Sequence, residues 1–433
     1  MKKKISLLLV LAFVLCMIPA AGVSSESEMI PAASSARTTL LDLTTVTSST
    51  SSTAQGWAYS PTGNGGKPKL TLNSYGLAGQ HSAPIKVRPD TTIVVNGVCY
   101  IDNSYMNEKY NDITALCNGY LHIEGSGTLN LYAEQFQGRC ISKESGAESN
   151  NNDDLVIDGV TVNCYNTPHD MHTAFSNEAC IFAYKSITIR NAVVNANYGR
   201  WGIRMWGETP IGGVTEDTAD ELLIENSTVN IQNQVEDNGK NYEVGIEATF
   251  GRVRIAGDSH VTINAGHHSI YSYLSLVLDG GSLEIASRPV GSGEVYPLVL
   301  CDRLIVNNGV SHVKIAATQY PLTCVLRCKT SGVSSLGNQL SMRMGTFENG
   351  DFAPGYDPAT GLPVIEISSS NGLLGDVNCD GQVTMADLSA LSAYLLGKGT
   401  ISAQGLINGD VNFDGVPNVI DLPLIYQLTL LKN

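Results

Sequence analysis

The sequence predicts a mainly β chain, a solenoid of short parallel strands followed by a small all-α module, and three observations predict it. First, the phrase aliphatic-any-aliphatic, a usually polar residue, then Gly or Asn recurs along the body. It runs Ile93 to Gly97, Leu121 to Gly125, Leu155 to Gly159, Ile187 to Asn191, Leu222 to Asn226, Val253 to Gly257, Leu276 to Gly280 and Leu304 to Asn308. The mean period is about 30 residues, enough for three short strands per turn of a coil. Second, glycine is 43 of 433 residues and Ser, Thr and Asn are heavy, so turns are frequent and long amphipathic helices are not expected before the last sixty positions. Third, a motif near the C-terminus repeats at an offset of 34 residues, each copy followed by apolar residues at helical spacing.

Taken in chain order, residues 1–22 carry Lys2, Lys3 and Lys4, an apolar run from Ile5 to Ile18, and small residues at Ala20, Ala21 and Gly22. This is the pattern of a secretory signal peptide, and the run is shorter than the roughly 20 residues that span a bilayer. No other run is apolar enough to span, so the mature chain is expected to be exported without a membrane span. The net charge is −15, or −18 once those three lysines are removed, with no basic run, which excludes a nucleic-acid binder. Nine cysteines remain after Cys16, an odd number with no Cys-x-x-Cys pair, so most are read as small core hydrophobes. Cys140 and Cys180 precede Ile141 and Ile181 on successive turns and are a candidate disulfide. Residues 23–60 form a Ser/Thr-rich N-terminal segment, 61–367 the β domain, 368–372 a linker and 373–433 the terminal module.

A regular period with three strands per turn fits a parallel β-helix better than a leucine-rich repeat or a sandwich, and crossover chirality makes it right-handed. Asn163, Asn195, Asn230 and Asn264 recur at 32, 35 and 34 residues and are expected to stack as an amide ladder. The body resembles the pectate-lyase-like β-helix superfamily and secreted carbohydrate-binding β-helix proteins. That likeness implies a polysaccharide ligand and rests on the repeat pattern, with no catalytic motif behind it.

The outward faces follow from alternation. With Ile181, Ile203, Ile246, Ile270 and Leu298 inward, the next residues face out as Phe182, Arg204, Glu247, Tyr271 and Val299. Two further along come Tyr184, Trp206, Thr249, Tyr273 and Cys301. Aromatic rings stack on pyranose faces, and guanidinium and carboxylate groups bond hydroxyls, so this column is a candidate carbohydrate-binding surface. The other reading has the segment 207–220 cover it as packing. The neighbouring sheet offers Asp158, Arg190, Glu225, Ala256 and Asp279, which read as an ion-pair ladder.

Catalysis is weakly signalled. Arg204 and Glu247 are the candidates for a polysaccharide lyase or glycoside hydrolase, with Asp170, Glu178 and Glu243 in nearby loops. Paired aspartates followed closely by Gly-His-Gly are absent, since Asp153 and Asp154 lie far from Gly266, His267 and His268. His169 and His172, with Asp170, read equally as a metal site or a polar loop.

The terminal motif is the sharpest. Asp376, Asn378, Asp380, Thr384 and Asp387 place oxygen side chains at positions 1, 3, 5, 9 and 12 of a loop, as do Asp410, Asn412, Asp414, Asn418 and Asp421. Gly381 and Gly415 sit at position 6, and Gln382 and Val416 supply backbone carbonyls at position 7. A hard cation needs six to eight such oxygens, so two Ca2+ ions are expected, one per loop. The apolar residues after the loops are Leu388, Leu391, Leu395 and Leu396, then Leu422, Ile425, Leu428 and Leu431.

This doubled loop-and-helix closely resembles a type I dockerin. The resemblance implies calcium-dependent folding and docking into a cohesin domain of a scaffold or cell-surface protein. By the same resemblance, Met385, Ala386, Val419 and Ile420 are cohesin-contact candidates. Pro417 stands where an aliphatic residue is usual. The expectation is therefore a secreted cellulosome-type component that docks to a cohesin and engages plant cell-wall polysaccharide during its degradation. The alternative is that the β-helix is itself a lyase or hydrolase of O-glycosyl bonds.

Overall fold

A computed structural model describes residues 41–431, except 79–83, 103–110, 117–119, 134–138, 145–153, 167–178, 198–199, 208–214, 234–243, 267, 288–296, 319–324, 330–334, 338–339, 345, 349–350, 354, 357–361, 370–372 and 413–415. The signal-peptide expectation, Asp414, and the loop residues Asp170, Glu178, Glu243, His169 and His172 lie outside the described residues.

The chain is mainly β until residue 369 and helical thereafter. Its strands form three 12-stranded sheets that the chain visits in turn. Ala179–Ala183 lies in the first sheet, Ile187–Arg190 in the second and Val193–Asn197 in the third, before Trp201–Met205 returns to the first. Along the body each strand pairs in parallel with its equivalent one turn on. The register partners Ala179, Trp201 and Val244 are 22 and 43 residues apart, so the connections, not the strands, absorb the irregular period. Antiparallel strands finish both ends. Thr50–Ser52 pairs with Trp57–Asn64, which pairs with Lys67–Asn73, and Pro363–Ser369 pairs with Val310–Ala317 and Leu340–Arg343. The sheets begin ahead of residue 61, since Leu41–Asp42 already pairs with Ile85–Val87.

The recurrent phrase is the second sheet. Ile93, Ile123, Ile157, Ile189, Ile224 and Ile255 are successive register partners, all buried, and form one aliphatic stack. Burying each such side chain contributes about 1.5–3 kcal/mol, which repeated turn upon turn is what holds the sheets together. The first phrase is two residues out of step: Thr91, not Ile93, pairs with Leu121. The Gly or Asn that closes the phrase has a conformational cause. Gly97, Gly159 and Gly257, with Asn191 and Asn226, all have φ between +49° and +72°, where other side chains are strained.

The amide ladder forms on the third sheet one turn earlier than expected. Asn163 donates to Asn130 (2.8 Å), Asn195 to Asn163 (2.7 Å) and Asn230 to Asn195 (2.8 Å). Asn264 falls in the neighbouring column and donates to Gln232, because Asn230 pairs with Thr262. On the second sheet Asp158, Arg190, Glu225, Ala256 and Asp279 are register partners as expected, with Arg190 2.9 Å from Asp158 and Asp279 held by Arg254. Cys140 and Cys180 are not bridged. Both remain buried thiols, bonding the carbonyls of Leu131 and Asn197 instead of each other.

The helices are α1 (Met385–Leu395), α2 (Ala403–Gly409) and α3 (Asp421–Leu431). Of the apolar residues at helical spacing, Leu391, Ile425, Leu428 and Leu431 are buried, whereas Leu395 and Leu396 are exposed. Among the described residues no helix is long and apolar enough to cross a membrane.

Candidate functional site

The two terminal loops are built on the same hydrogen bonds, 34 residues apart. Asp387 accepts from the amides of Asn378 (3.0 Å) and Thr384 (2.8 Å), and Asp421 from those of Asn412 (3.1 Å) and Asn418 (2.7 Å). Asp376 accepts from the amides of Asp380 (3.0 Å) and Gly381 (2.9 Å), where Gly381 takes a φ of 87°. Thr384 and Asp387 also form a reciprocal capping box that starts α1, so one carboxylate serves both loop and helix. Thus each repeat's last loop residue ties the loop to its helix.

Asp376, Asp387 and Asp421 are buried, and among the described residues no lysine or arginine pairs with them. Burial raises the Asp376 and Asp421 carboxyls above their ordinary value, which is the penalty of a buried anion lacking a counter-charge. Among the described residues no three His, Cys, Asp or Glu side chains gather as a metal group. The loops mix carboxylates with the oxygens of Asn378, Asn412, Asn418 and Thr384, and with the carbonyls of Gln382 and Val416. That all-oxygen donor set around buried, unneutralised carboxylates fits a hard divalent cation. Met385, Ala386, Val419 and Ile420 are all exposed. So are Tyr394, Ile407, Tyr426 and Leu430, which the helical-period argument did not single out. So many exposed apolar side chains on so small a module are what an interaction surface offers a partner.

The second site lies on the first sheet, across β1 (Arg139–Glu144), β2 (Ala179–Ala183), β3 (Trp201–Met205), β4 (Val244–Ala248), β5 (His268–Ser272), β6 (Val299–Cys301) and β7 (Leu326–Cys328). Phe182, Arg204, Glu247 and Tyr271 are successive register partners on β2 to β5. The ladder continues past the strand ends, with the amides of Trp206, Thr249 and Tyr273 donating to Ala183, Met205 and Ala248. Tyr184, Trp206, Thr249 and Tyr273 therefore form the second column. At β6 the expected columns slip by one. Val299 pairs with Ile270 and is buried, as is Cys301, so Leu300 continues the first column in place of Val299. Asp302 takes the place given to Cys301. Leu298, assigned inward by its spacing, precedes the strand.

A third column escaped alternation. Trp201, with Ala179 and Val244, clusters against Phe182, Tyr184 and Tyr271. The cause is two consecutive inward residues at each turn. A Cβ on Gly202 would come 2.6 Å from Ile231, and one on Gly245 2.5 Å from Ile263, so these positions point into the core beside Ile203 and Ile246. The signal was present as Cys180, Gly202, Gly245 and Ser269, a small residue before every inward isoleucine.

Arg204 stands between two indoles, its Cζ 4.1 Å from the Trp201 ring centroid and 4.7 Å from that of Trp206. It pairs with Glu247 at 3.6 Å, the two side chains being 9% and 13% exposed. Glu247 also accepts from the indole Nε1 of Trp201 and from Thr249 Oγ1. Burial lowers the Arg204 pKa, and the adjoining Glu247 opposes that shift. Outward of this pair, Trp206, Phe250 and Tyr273 make a chain of edge-to-face rings at 6.0 and 5.8 Å, with Trp206 37% and Tyr273 40% exposed. Lys329 reaches both Tyr271 and Tyr273 (5.0 and 5.1 Å), and Arg139 stacks on Phe182 at 3.7 Å. His268 donates from Nδ1 to the Pro297 carbonyl at 2.7 Å, and burial lowers its pKa. The face thus combines fixed charges below with exposed rings above.

No curated protein and no solved structure matches this chain. Residues 374–428 match the dockerin type I domain family, and the chain carries a domain of that kind at its C-terminal end.

Proposed function

We propose that this chain is a secreted component of a cellulosome-type complex in which a calcium-loaded dockerin binds a cohesin while the β body engages plant cell-wall polysaccharide. The dockerin match supports the docking role and an extracellular, complex-bound setting, and type I dockerins generally bind calcium. We read Asp376, Asn378, Asp380, Gln382, Thr384 and Asp387 as the first calcium set. Asp410, Asn412, Asp414, Val416, Asn418 and Asp421 are the second, with Met385, Ala386, Val419 and Ile420 toward the cohesin. Calcium supplies the charge that the buried carboxylates lack and so couples binding to folding.

We read the body as a right-handed parallel β-helix of the carbohydrate-binding kind. The observation that carries this is the first-sheet face, where Trp206 and Tyr273 present rings beside a guanidinium and a carboxylate locked by Trp201. Rigid rings over pre-oriented polar groups bind sugar with little ordering cost. A catalytic reading has one observation in its favour, the lowered pKa of Arg204, since an arginine acting as a base must lose its proton. Against it, both Glu247 oxygens accept hydrogen bonds from the face itself.

The test is reducing-end release by the full chain on a panel of pectins, xylans and glucans, with and without calcium, alongside affinity for the same glycans. The binding reading expects silence in the first assay and a graded affinity loss in Arg204→Ala, Glu247→Ala and Trp206→Ala. Turnover abolished by Arg204→Ala and Glu247→Ala would make the face an active site.

A further inference from the structure

The buried thiols are not alike. Cys99, Cys140 and Cys180 bond the backbone carbonyls of Asn96, Leu131 and Asn197. Cys301 also bonds a carbonyl, that of Arg327, but it faces a second thiol as well: Cys301 and Cys328 are register partners on β6 and β7, both buried, with their sulfurs 3.8 Å apart. We propose that in the exported protein Cys301 and Cys328 are oxidised to a disulfide that clamps β6 to β7.

Three physical arguments carry this. Neighbouring strands lie about 4.8 Å apart, within the Cα separation of roughly 4.4–6.8 Å that a disulfide spans, so the pair lies within reach of a bond of about 2.0 Å. The position matters as well. β7 is the last strand of the first sheet's parallel run, and beyond it the sheet is finished by the antiparallel strands Asp351–Ala353 and Thr346–Glu348. There the regular stacking of the repeat stops, and such ends open more readily than the middle of an array. A bond closing the segment between residues 301 and 328 restricts the unfolded chain at this weak end. Finally, the dockerin match supports an extracellular setting, where disulfides persist.

The oxidant is a disulfide of the export compartment, such as that of a thiol oxidoreductase. The thiolate of one cysteine attacks a sulfur of that disulfide, forming a mixed disulfide and releasing one oxidant thiolate. The second cysteine, deprotonated in turn, attacks the protein-side sulfur. The Cys301–Cys328 bond forms, the second oxidant thiolate leaves, and the two thiol protons pass to the released thiolates. In the folded body Cys301 is held protonated by the Cys328 thiol and by burial, so the exchange belongs to folding, before β6 and β7 close over the pair.

The experiment uses the full chain collected after export, denatured in excess N-ethylmaleimide without reductant, digested and mapped. The expected result is one cross-linked peptide joining Cys301 to Cys328, in a chain two hydrogens lighter than its reduced form. Alkylation of both residues, or a bridge from either one to a different cysteine such as Cys324, would overturn the proposal. A second measurement compares thermal unfolding with and without dithiothreitol. The midpoint of the wild-type chain is expected to fall on reduction, and that of the Cys301→Val, Cys328→Val double variant to stay unchanged. An equal response of the two proteins would overturn it.

Discussion

If Arg204 and Glu247 form one locked unit at the face, removing both should cost less than the sum of removing each alone. At 3.6 Å the Coulomb attraction is about 5 kcal/mol for an effective dielectric near 20, before desolvation is subtracted. Both side chains are largely covered, so most of that gain is offset by the loss of hydration, and a coupling energy of about 2 kcal/mol remains. Glu247→Gln keeps the shape and leaves the guanidinium uncompensated between two indoles. Arg204→Met keeps the stem against the rings and leaves the carboxylate to Trp201 and Thr249 alone. Each single change is expected to destabilise by about 2–3 kcal/mol, and the double variant by about 2 kcal/mol less than their sum. The assay is urea unfolding followed by tryptophan fluorescence, which is well placed because two of the chain's three tryptophans, Trp201 and Trp206, flank Arg204. Additivity to within about 0.5 kcal/mol would refute the reasoning, because it would mean that the charges do not interact.

Trp206→Ala and Tyr273→Ala remove half-exposed rings that pack on Phe250 and should each destabilise by about 1 kcal/mol, while each weakens glycan affinity about tenfold, measured by affinity electrophoresis. Asn195→Ala breaks two ladder bonds and should cost about 1–3 kcal/mol in denaturant unfolding, with no effect on glycan affinity, since the ladder lies on another sheet. Chelation should abolish the helical circular dichroism of the terminal module, and helicity retained in excess chelator would contradict calcium-coupled folding. Acid has the opposite effect on the metal-free module. Burial raises the Asp376 and Asp421 pKa values, so the folded form binds protons more tightly than the unfolded one. Helicity lost to chelator at neutral pH should therefore be partly regained as pH falls toward the carboxylate range of about 4, and be lost again as pH climbs through the raised values, read by circular dichroism.

The repeat and the loops were legible in the sequence because each depends on local spacing. The phrase ends at Gly or Asn because the corner needs positive φ at Asn191 and Gly257, and that requirement is written into the residue itself. The loop oxygens were legible for the same reason, since Asp387 and Asp421 reach amides within ten residues of themselves. The face was half legible. Alternation placed Phe182, Arg204, Glu247 and Tyr271 in one column, but it passed over Trp201, because it knows nothing of Gly202 and Ile203 sharing the core. It also slipped by one at Val299, where residues 288–296 separate the strands and the period carries no register.

The sequence by itself determined what depends on neighbours along the chain: a mainly β body, its aliphatic stacks, the doubled oxygen-rich loops and the helices they begin. The tertiary structure alone decided what depends on neighbours across turns. It seated Arg204 between Trp201 and Trp206, gave both oxygens of Glu247 to partners on the face, moved the amide ladder to Asn130, and set Cys301 against Cys328 in place of Cys140 against Cys180. The physical reason is register. A shift of one residue exchanges the two faces of a strand, and connections of unequal length between turns leave that shift to be fixed by packing alone.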